Sequence, residues 1–149
     1  INDVFERQFP PAGYREIAHT ADWELEVWAK DLPGLLEQAA LGMLHLAGAR
    51  LEDSPPQEAR FSVTAPDPES LLVNFLSELL FQMEQTGMGF SDFRIQVQTQ
   101  PDVVNLACLA EFHARPLLAL DKEIKAVTYH RLQVLETLQG LSTRIVFDV

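Results

Sequence analysis

The sequence predicts an α+β fold in which two helices pack on a mixed, mostly antiparallel sheet within a single compact domain. Two segments in the first half combine a capping Asp near a Pro with apolar residues at helical spacing. Around and after them, apolar and polar residues alternate as in half-buried strands. A length of 149 residues with 47% hydrophobic residues is enough to bury one core.

The two helices have the clearest boundaries. Asp31 is placed to cap the first helix, and Gly48 is placed to end it. Asp67 is placed to cap the second helix, Pro68 takes its first position, and Gly87 follows its last turn. We therefore expect both helices to contribute an apolar stripe to the core.

The remaining elements are predicted to be strands and connections. The first half contains one strand before the first helix and one between the helices, whereas the second half contains two hairpins. Residues 1–13 are expected to be an N-terminal extension and residues 14–149 the domain. The predicted strands are 24–29, 61–65, 93–98 with 104–112, and 126–135 with 142–149, and residues 114–120 are predicted to be an apolar linker.

The charge balance limits the functions that the protein can have. The formal net charge is −11, with 22 acidic and 11 basic side chains. Direct nucleic-acid binding is not expected, because phosphate contacts require an excess of Lys and Arg. The acidic balance suits binding of a cation or of a basic partner, but from net charge alone simple solubility is the preferred explanation.

The sequence predicts a cytoplasmic protein without a membrane partner. Its apolar runs are far shorter than a membrane span, and the polar start of the chain is unlike a secretory signal peptide. The single cysteine, Cys108, forms no internal disulfide, which suits a reducing compartment. We expect Cys108 to be a small core residue on a strand.

Two carboxylates stand at the ends of predicted strands. Asp148 follows the apolar run Ile145–Phe147 one residue before the end of the chain, and Asp22 precedes the strand at 24–29. A carboxylate buried at such a place is costly unless a cation or hydrogen-bond donors meet it. With a main-chain or terminal oxygen of Val149, the two would form a hard oxygen site for Ca²⁺ or Mg²⁺ rather than Zn²⁺. On the residues alone, a turn cap and a solvated chain end are the simpler interpretation.

Other polar residues lie in short clusters without a known catalytic motif. The sequence contains no Gly-rich phosphate loop, nucleophile elbow, paired CxxC or His-Glu-x-x-His. Three histidines, His19, His113 and His130, could converge, but scattered imidazoles more often satisfy local hydrogen bonds. Glu78 on the second helix could pair with Lys125 or a histidine. The possible functional surface comprises His19, Glu78, Glu111, Lys125, Thr128 and His130.

The chain resembles the archease family in four segments, in the same order and with the same terminal position of the last. These are His19-Thr20-Ala21-Asp22, Leu71–Leu80, Glu123-Ile124-Lys125-Ala126-Val127-Thr128-Tyr129-His130, and Val146-Phe147-Asp148-Val149. The first and third segments together are the most specific. The resemblance covers about residues 14–149. The sequence departs from the family at Ala110-Glu111, where many members have Gly-Glu, and in the apolar character of residues 114–120.

This resemblance implies a protein cofactor rather than a free-standing enzyme. Archeases assist the RtcB-type RNA ligase of tRNA splicing and RNA repair by promoting its guanylylation and multiple turnover, so GTP and RNA would be bound only through the ligase. The family binds a divalent cation, usually Ca²⁺, with Mg²⁺ or Mn²⁺ as alternatives. In this sequence the corresponding ligands are Asp22, Asp148 and the carbonyl of Val149. The resemblance therefore favours a cation site over the turn cap and solvated chain end that the residues alone suggested.

Two other classes of function remain open at this stage. The chain could be a cation-stabilised interaction module or chaperone without a role in ligation. It could also be a hydrolase that uses His19, Asp22 and His130 to hold a metal-bound water, although the sequence offers no convincing further ligand and no nucleophile motif.

Overall fold

The computed structural model describes residues 11–18, 22–102 and 104–149. Within these ranges the chain forms two helices and nine strands. In chain order they are β1 (Gly13–Ile17), β2 (Trp23–Ala29), α1 (Leu32–Leu46), β3 (Arg50–Leu51), β4 (Gln57–Ala65), α2 (Pro68–Thr86), β5 (Met88–Gln100), β6 (Asn105–Ala119), β7 (Ala126–Val127), β8 (Leu135–Thr137) and β9 (Gly140–Asp148).

The described strands form two antiparallel sheets. In the five-stranded sheet, β1, β2 and β9 are neighbours, and the short strands β7 and β8 pair with different parts of β9. In the four-stranded sheet, β6 pairs with β3, β4 and β5. Each helix contacts strands of both sheets, because α1 touches β2 and β5, and α2 touches β4 and β7. The predicted α+β class is confirmed, and the structure adds the division into two sheets.

Both helix starts follow from their capping residues. The Asp31 carboxylate accepts a hydrogen bond from the amide of Gly34 (2.9 Å), and the Asp67 carboxylate accepts one from the amide of Ser70 (2.7 Å). These contacts satisfy amides that have no partner within the helix. Gly87 ends α2 in the left-handed region with φ of 69°. The predicted helix boundaries are therefore confirmed.

The core lies between the helices and the inner faces of both sheets. Leu25 and Val27 of β2 and Ile145 and Phe147 of β9 are almost completely buried on the side of α1. An aromatic cluster fills the space between α2 and the four-stranded sheet. Its members are Phe61, Phe75, Phe90, Phe93 and Phe112, with ring centroids 4.9–6.4 Å apart along their contacts.

The prediction of a linker at residues 114–120 is wrong, because β6 continues through Ala119. Pro116 has no amide to donate, but its carbonyl accepts a hydrogen bond from Glu52 (2.8 Å). The next amide, that of Leu117, donates to the carbonyl of Gly87 (2.9 Å). The strand therefore tolerates the proline, because the carbonyl of Pro116 and the amide of Leu117 both have hydrogen-bond partners.

The second predicted hairpin is only partly confirmed. The turn at Leu138 and Gln139 joins β8 to β9 as expected, but residues 128–134 are not strand. Instead, β7 and β8 are separate short strands along β9. The strand β1 was not expected, because its side chains do not alternate clearly between apolar and polar.

Cys108 lies on β6 with its side chain in the core, as predicted. Burial raises the pKa of its thiol to about 11. Neither of the helices in the described part of the chain is long and apolar enough to cross a lipid bilayer.

Candidate cation-binding site

The start of β2 and the end of β9 lie side by side in the five-stranded sheet. Trp23 pairs with Phe147 in antiparallel register. Asp22 immediately precedes this pair on the β2 side, and Asp148 immediately follows it on β9. The fold thus places these two carboxylates, the carboxylate pair, at the same end of the five-stranded sheet although they are far apart in the sequence.

Both carboxylates are exposed to solvent. For Asp148 this matches the solvated chain end that was the simpler interpretation of the residues alone. The core ends at Phe147, and Asp148 extends beyond it at the end of the sheet. Burial therefore does not demand a counterion here. What favours a cation is the placement of both carboxylates at one end of the sheet, because a cation there would offset the repulsion between two like charges.

The segment that begins at Lys125 lies on the other side of β9 from β2. The amide of Lys125 donates a hydrogen bond to the main-chain carbonyl of Asp148 (2.8 Å). Ala126 pairs with Asp148, and Val127 with Phe147. Three segments singled out in the sequence, those around Asp22, Lys125 and Asp148, therefore meet at one end of the five-stranded sheet.

Thr128 fixes the course of the chain after β7. Its amide and its hydroxyl both donate to the carbonyl of Val146, at 3.0 and 2.9 Å. The amide of His130 donates in turn to the Thr128 hydroxyl oxygen (3.3 Å). Thr128 thus holds the segment against β9, and the imidazole of His130 is left exposed.

A cationic side chain that sequence analysis missed contacts the first residue of β2. Lys122 places its Nζ 4.5 Å from the ring centroid of Trp23, the residue that follows Asp22. The amide of Lys122 donates to the carbonyl of Ala47 (3.1 Å), which ties this segment to the end of α1. No sequence spacing could show this contact, because it joins residues that are distant along the chain.

The other predicted site residues are not all at this end of the sheet. His19 lies outside the described residues. Glu78 accepts a hydrogen bond from Gln82 on the same helix (3.2 Å), and no ion pair with Lys125 or a histidine is found among the described residues. Glu111 lies on β6 of the four-stranded sheet, where it pairs in register with Arg60 and Arg94. Glu78 and Glu111 therefore do not join the carboxylate pair.

His113 belongs to a separate charged network on the four-stranded sheet. Its Nε2 lies 3.0 Å from a carboxylate oxygen of Glu58, and its Nδ1 lies 3.1 Å from one of Asp92. Arg115 lies 3.9 Å from the same Asp92 oxygen. His113 lies on β6 of the four-stranded sheet and is held by local contacts, whereas His130 lies in a turn after β7, which agrees with local roles for these two histidines rather than a shared site.

The donors at the strand ends fit a hard divalent cation. The two carboxylates and the carbonyl of Val149 are all oxygen ligands, which Ca²⁺ and Mg²⁺ prefer. In the described part of the chain, no group of three or more His, Cys, Asp or Glu side chains is arranged to hold a metal. This protein therefore offers about three oxygen ligands, whereas Ca²⁺ takes about six to eight. An ion here would keep positions open to water or to a partner.

The fold and the paired strand-end carboxylates define a small α+β protein with an oxygen-rich candidate site at one end of a sheet. The Archease protein family model matches residues 14–149. The chain belongs to the archease family.

The sequences and structures of known relatives align with nearly the whole chain. Protein archease of Methanosarcina barkeri is 32% identical over 139 residues, which cover 91% of this chain and 95% of that protein. The solution structure of Methanobacterium thermoautotrophicum protein 1598 is 27% identical, covers 92% of this chain and 99% of its own, and has a TM-score of 0.73. The crystal structure of a Thermotoga maritima archease, described as a possible chaperone, shares the fold at 23% identity and a TM-score of 0.63, covering 91% and 96%.

Proposed function

We propose that this protein is a non-catalytic activator of an RtcB-type RNA ligase in tRNA splicing and RNA repair. It promotes guanylylation of the ligase and so sustains multiple turnover. Membership of the archease family supports the proposal. The observation that carries it is the meeting of Asp22, Asp148 and the segment after Lys125 at one end of the five-stranded sheet.

A divalent cation, most simply Ca²⁺, would be held by Asp22, Asp148 and the carbonyl of Val149. When bound, such an ion supplies concentrated positive charge that neutralises phosphate oxygens and positions them. The protein's own contribution is to present the ligands at an exposed sheet end, where a partner can approach. The main-chain carbonyl of Asp148 accepts a hydrogen bond from the amide of Lys125, which holds this strand end in place.

The charge of the chain supports a protein partner over a nucleic acid. A formal net charge of −11 repels RNA and GTP, so both would be bound through the ligase. A ligase active site that binds RNA and nucleotide is expected to be basic, and an acidic activator would be attracted to it. Cytoplasmic action without membrane attachment is part of the same proposal.

The test is a multiple-turnover ligation assay with the RtcB-type ligase of the same organism, GTP and Mn²⁺. A trace of wild-type protein is expected to raise the number of turnovers, and Asp148→Asn is expected to lose this effect while remaining folded, as checked by circular dichroism. Glu136→Gln is the matched control, because Glu136 is an exposed carboxylate on β8. Equal stimulation by wild type and Asp148→Asn would refute the role of the carboxylates.

A second candidate function is a cation-stabilised interaction module. It is favoured by the position of the carboxylate pair where β2, β9 and β7 meet, because an ion there would join separate chain segments. In that case a chelator would lower the melting temperature of wild type but not of Asp148→Asn, and ligation would be unaffected. A hydrolase that uses His19, Asp22 and His130 is not proposed, because the sequence offers no convincing further ligand and no nucleophile motif.

A further inference from the structure

A cleft of about 560 Å³ opens beside the segment that carries Lys125. Its walls come from the end of α1, the middle of α2 and the chain on both sides of Ile124. Most of the lining is apolar. Its main members are Met43, Leu80, Phe81, Met83, Leu120 and Ile124.

The rim of the cleft exposes large apolar side chains. Phe81 is 55% exposed and Leu120 is 39% exposed, although both line the cleft. Exposed apolar surface around a concavity is typical of an interaction site. Met43 and Met83 line the interior, and flexible thioether side chains adapt to the shape of what they bind.

The charges at the cleft favour a basic occupant. Glu84 and Glu123 line it with exposed carboxylates, and Lys125 lies at the side nearest β9. A nucleotide or another phosphate-bearing small molecule would be repelled by the two carboxylates. A protein segment with an apolar side chain between Lys or Arg residues complements both the apolar interior and the acidic rim.

The cleft lies next to the end of β9 that carries Asp148. Lys125 and Val127 line the cleft, and the same short segment pairs with Phe147 and Asp148 of β9. A partner that docks at this end of the five-stranded sheet is therefore close to both features.

We propose that the cleft receives a short segment of the RtcB-type ligase, in which an apolar side chain enters between α1 and α2 and flanking Lys or Arg residues face Glu84 and Glu123. This inference rests on the proposed function, because it names the same partner. The cleft supplies affinity, whereas the carboxylate pair supplies activation. The two roles can therefore be separated by measurement.

The first experiment measures the dissociation constant between the ligase and this protein, together with turnover at saturating protein. Phe81→Ser and Ser77→Trp alter the rim of the cleft, and both positions are exposed, so the fold should tolerate them. Each is expected to raise the dissociation constant about tenfold or more, as for loss of an apolar anchor. Turnover at saturation should equal that of wild type. Leu138→Ser is the matched control, because Leu138 is 99% exposed at the turn between β8 and β9.

The second experiment tests the charge of the rim. Glu123→Lys is expected to raise the dissociation constant and to weaken its dependence on salt, because an attractive charge is replaced by a repulsive one. Glu136→Lys introduces the same change on β8, outside the cleft lining, and is expected to leave the salt dependence closer to that of wild type.

The outcomes separate this inference from the proposed function. If wild type stimulates turnover but the rim variants bind as tightly as wild type, the inference is wrong and the proposed function stands. Loss of saturating turnover without weaker binding would also overturn it, as would equal weakening by Leu138→Ser. If wild type neither binds nor stimulates the ligase, the proposed function fails and this inference fails with it.

Discussion

Asp92 lies in an irregular stretch of β5, where the register with β6 shifts between Ser91 and Arg94. Its φ of 56° is in the left-handed region, which Asp and Asn adopt more readily than most residues. The Ser91 hydroxyl donates to the carboxylate (2.9 Å), and this contact, together with His113 and Arg115, lowers the pKa of Asp92.

The lowered pKa predicts a pH-dependent contribution to stability. A carboxyl group whose pKa is lower in the folded state than in the unfolded state stabilises the fold at pH values above its unfolded pKa of about 4. This contribution is lost as the pH falls through the folded pKa. Asp92→Asn keeps the backbone preference but removes the charge. Its free energy of unfolding should lie below that of wild type near neutral pH, and the difference should shrink in acid. Urea unfolding at several pH values measures the difference in free energy of unfolding between wild type and Asp92→Asn. Asp53→Asn, in the exposed loop after β3, is the control. A difference that stays constant with pH would contradict the prediction.

The thiol of Cys108 gives a second prediction at the scale of one residue. Burial makes the side chain inaccessible and raises the pKa of its thiol to about 11. The reactive thiolate is therefore scarce at neutral pH. Alkylation by iodoacetamide should be slow in the native protein and fast in denaturant, as followed by intact-mass spectrometry. Native and denatured protein labelled at the same rate would show that β6 does not bury this side chain.

At the scale of elements, the helices were predictable because their signals are local. Asp31 and Asp67 cap amides within the next turn, and the apolar stripes repeat within each helix. The extent of β6 was not predictable in this way, because Pro116 disfavours a strand locally. Its carbonyl and the next amide are satisfied by Glu52 and Gly87, which come from other parts of the chain.

The turn between β8 and β9 gives a prediction at this scale. Gly140 has φ of 138°, and a Cβ built there would lie 2.3 Å from the main-chain oxygen of Ala29. Gly87 also has positive φ, but a Cβ built there meets nothing within 4 Å. Gly140→Ala should therefore lower the free energy of unfolding by more than about 1 kcal/mol, and by more than Gly87→Ala does. Urea denaturation measures both, and equal losses would contradict the backbone clash.

At the scale of the whole molecule, the candidate ligands could be identified from the sequence, but their placement at one end of the sheet could not. Asp22 and Asp148 lie at the same end of the sheet only because β2 and β9 pair antiparallel in a particular register. The exposure of Asp148 agrees with the solvated chain end that the residues alone favoured. The Lys122 contact with Trp23 and the network around His113 depend on tertiary packing in the same way.

The family resemblance and the geometry together support one account of the whole protein. One end of the five-stranded sheet presents the carboxylate pair, and the cleft beside Lys125 lies next to that end. Activation should depend on the carboxylates, and affinity on the cleft. The central claim is that this surface promotes the guanylylation step of the ligase.

The most direct measurement is the rate at which the ligase becomes covalently labelled by radioactive GTP in the presence of Mn²⁺. Wild-type protein is expected to increase this rate, Asp148→Asn is expected to lose the increase, and Glu136→Gln is expected to retain it. A labelling rate that wild-type protein does not change, or that wild type and Asp148→Asn raise equally, would contradict the account.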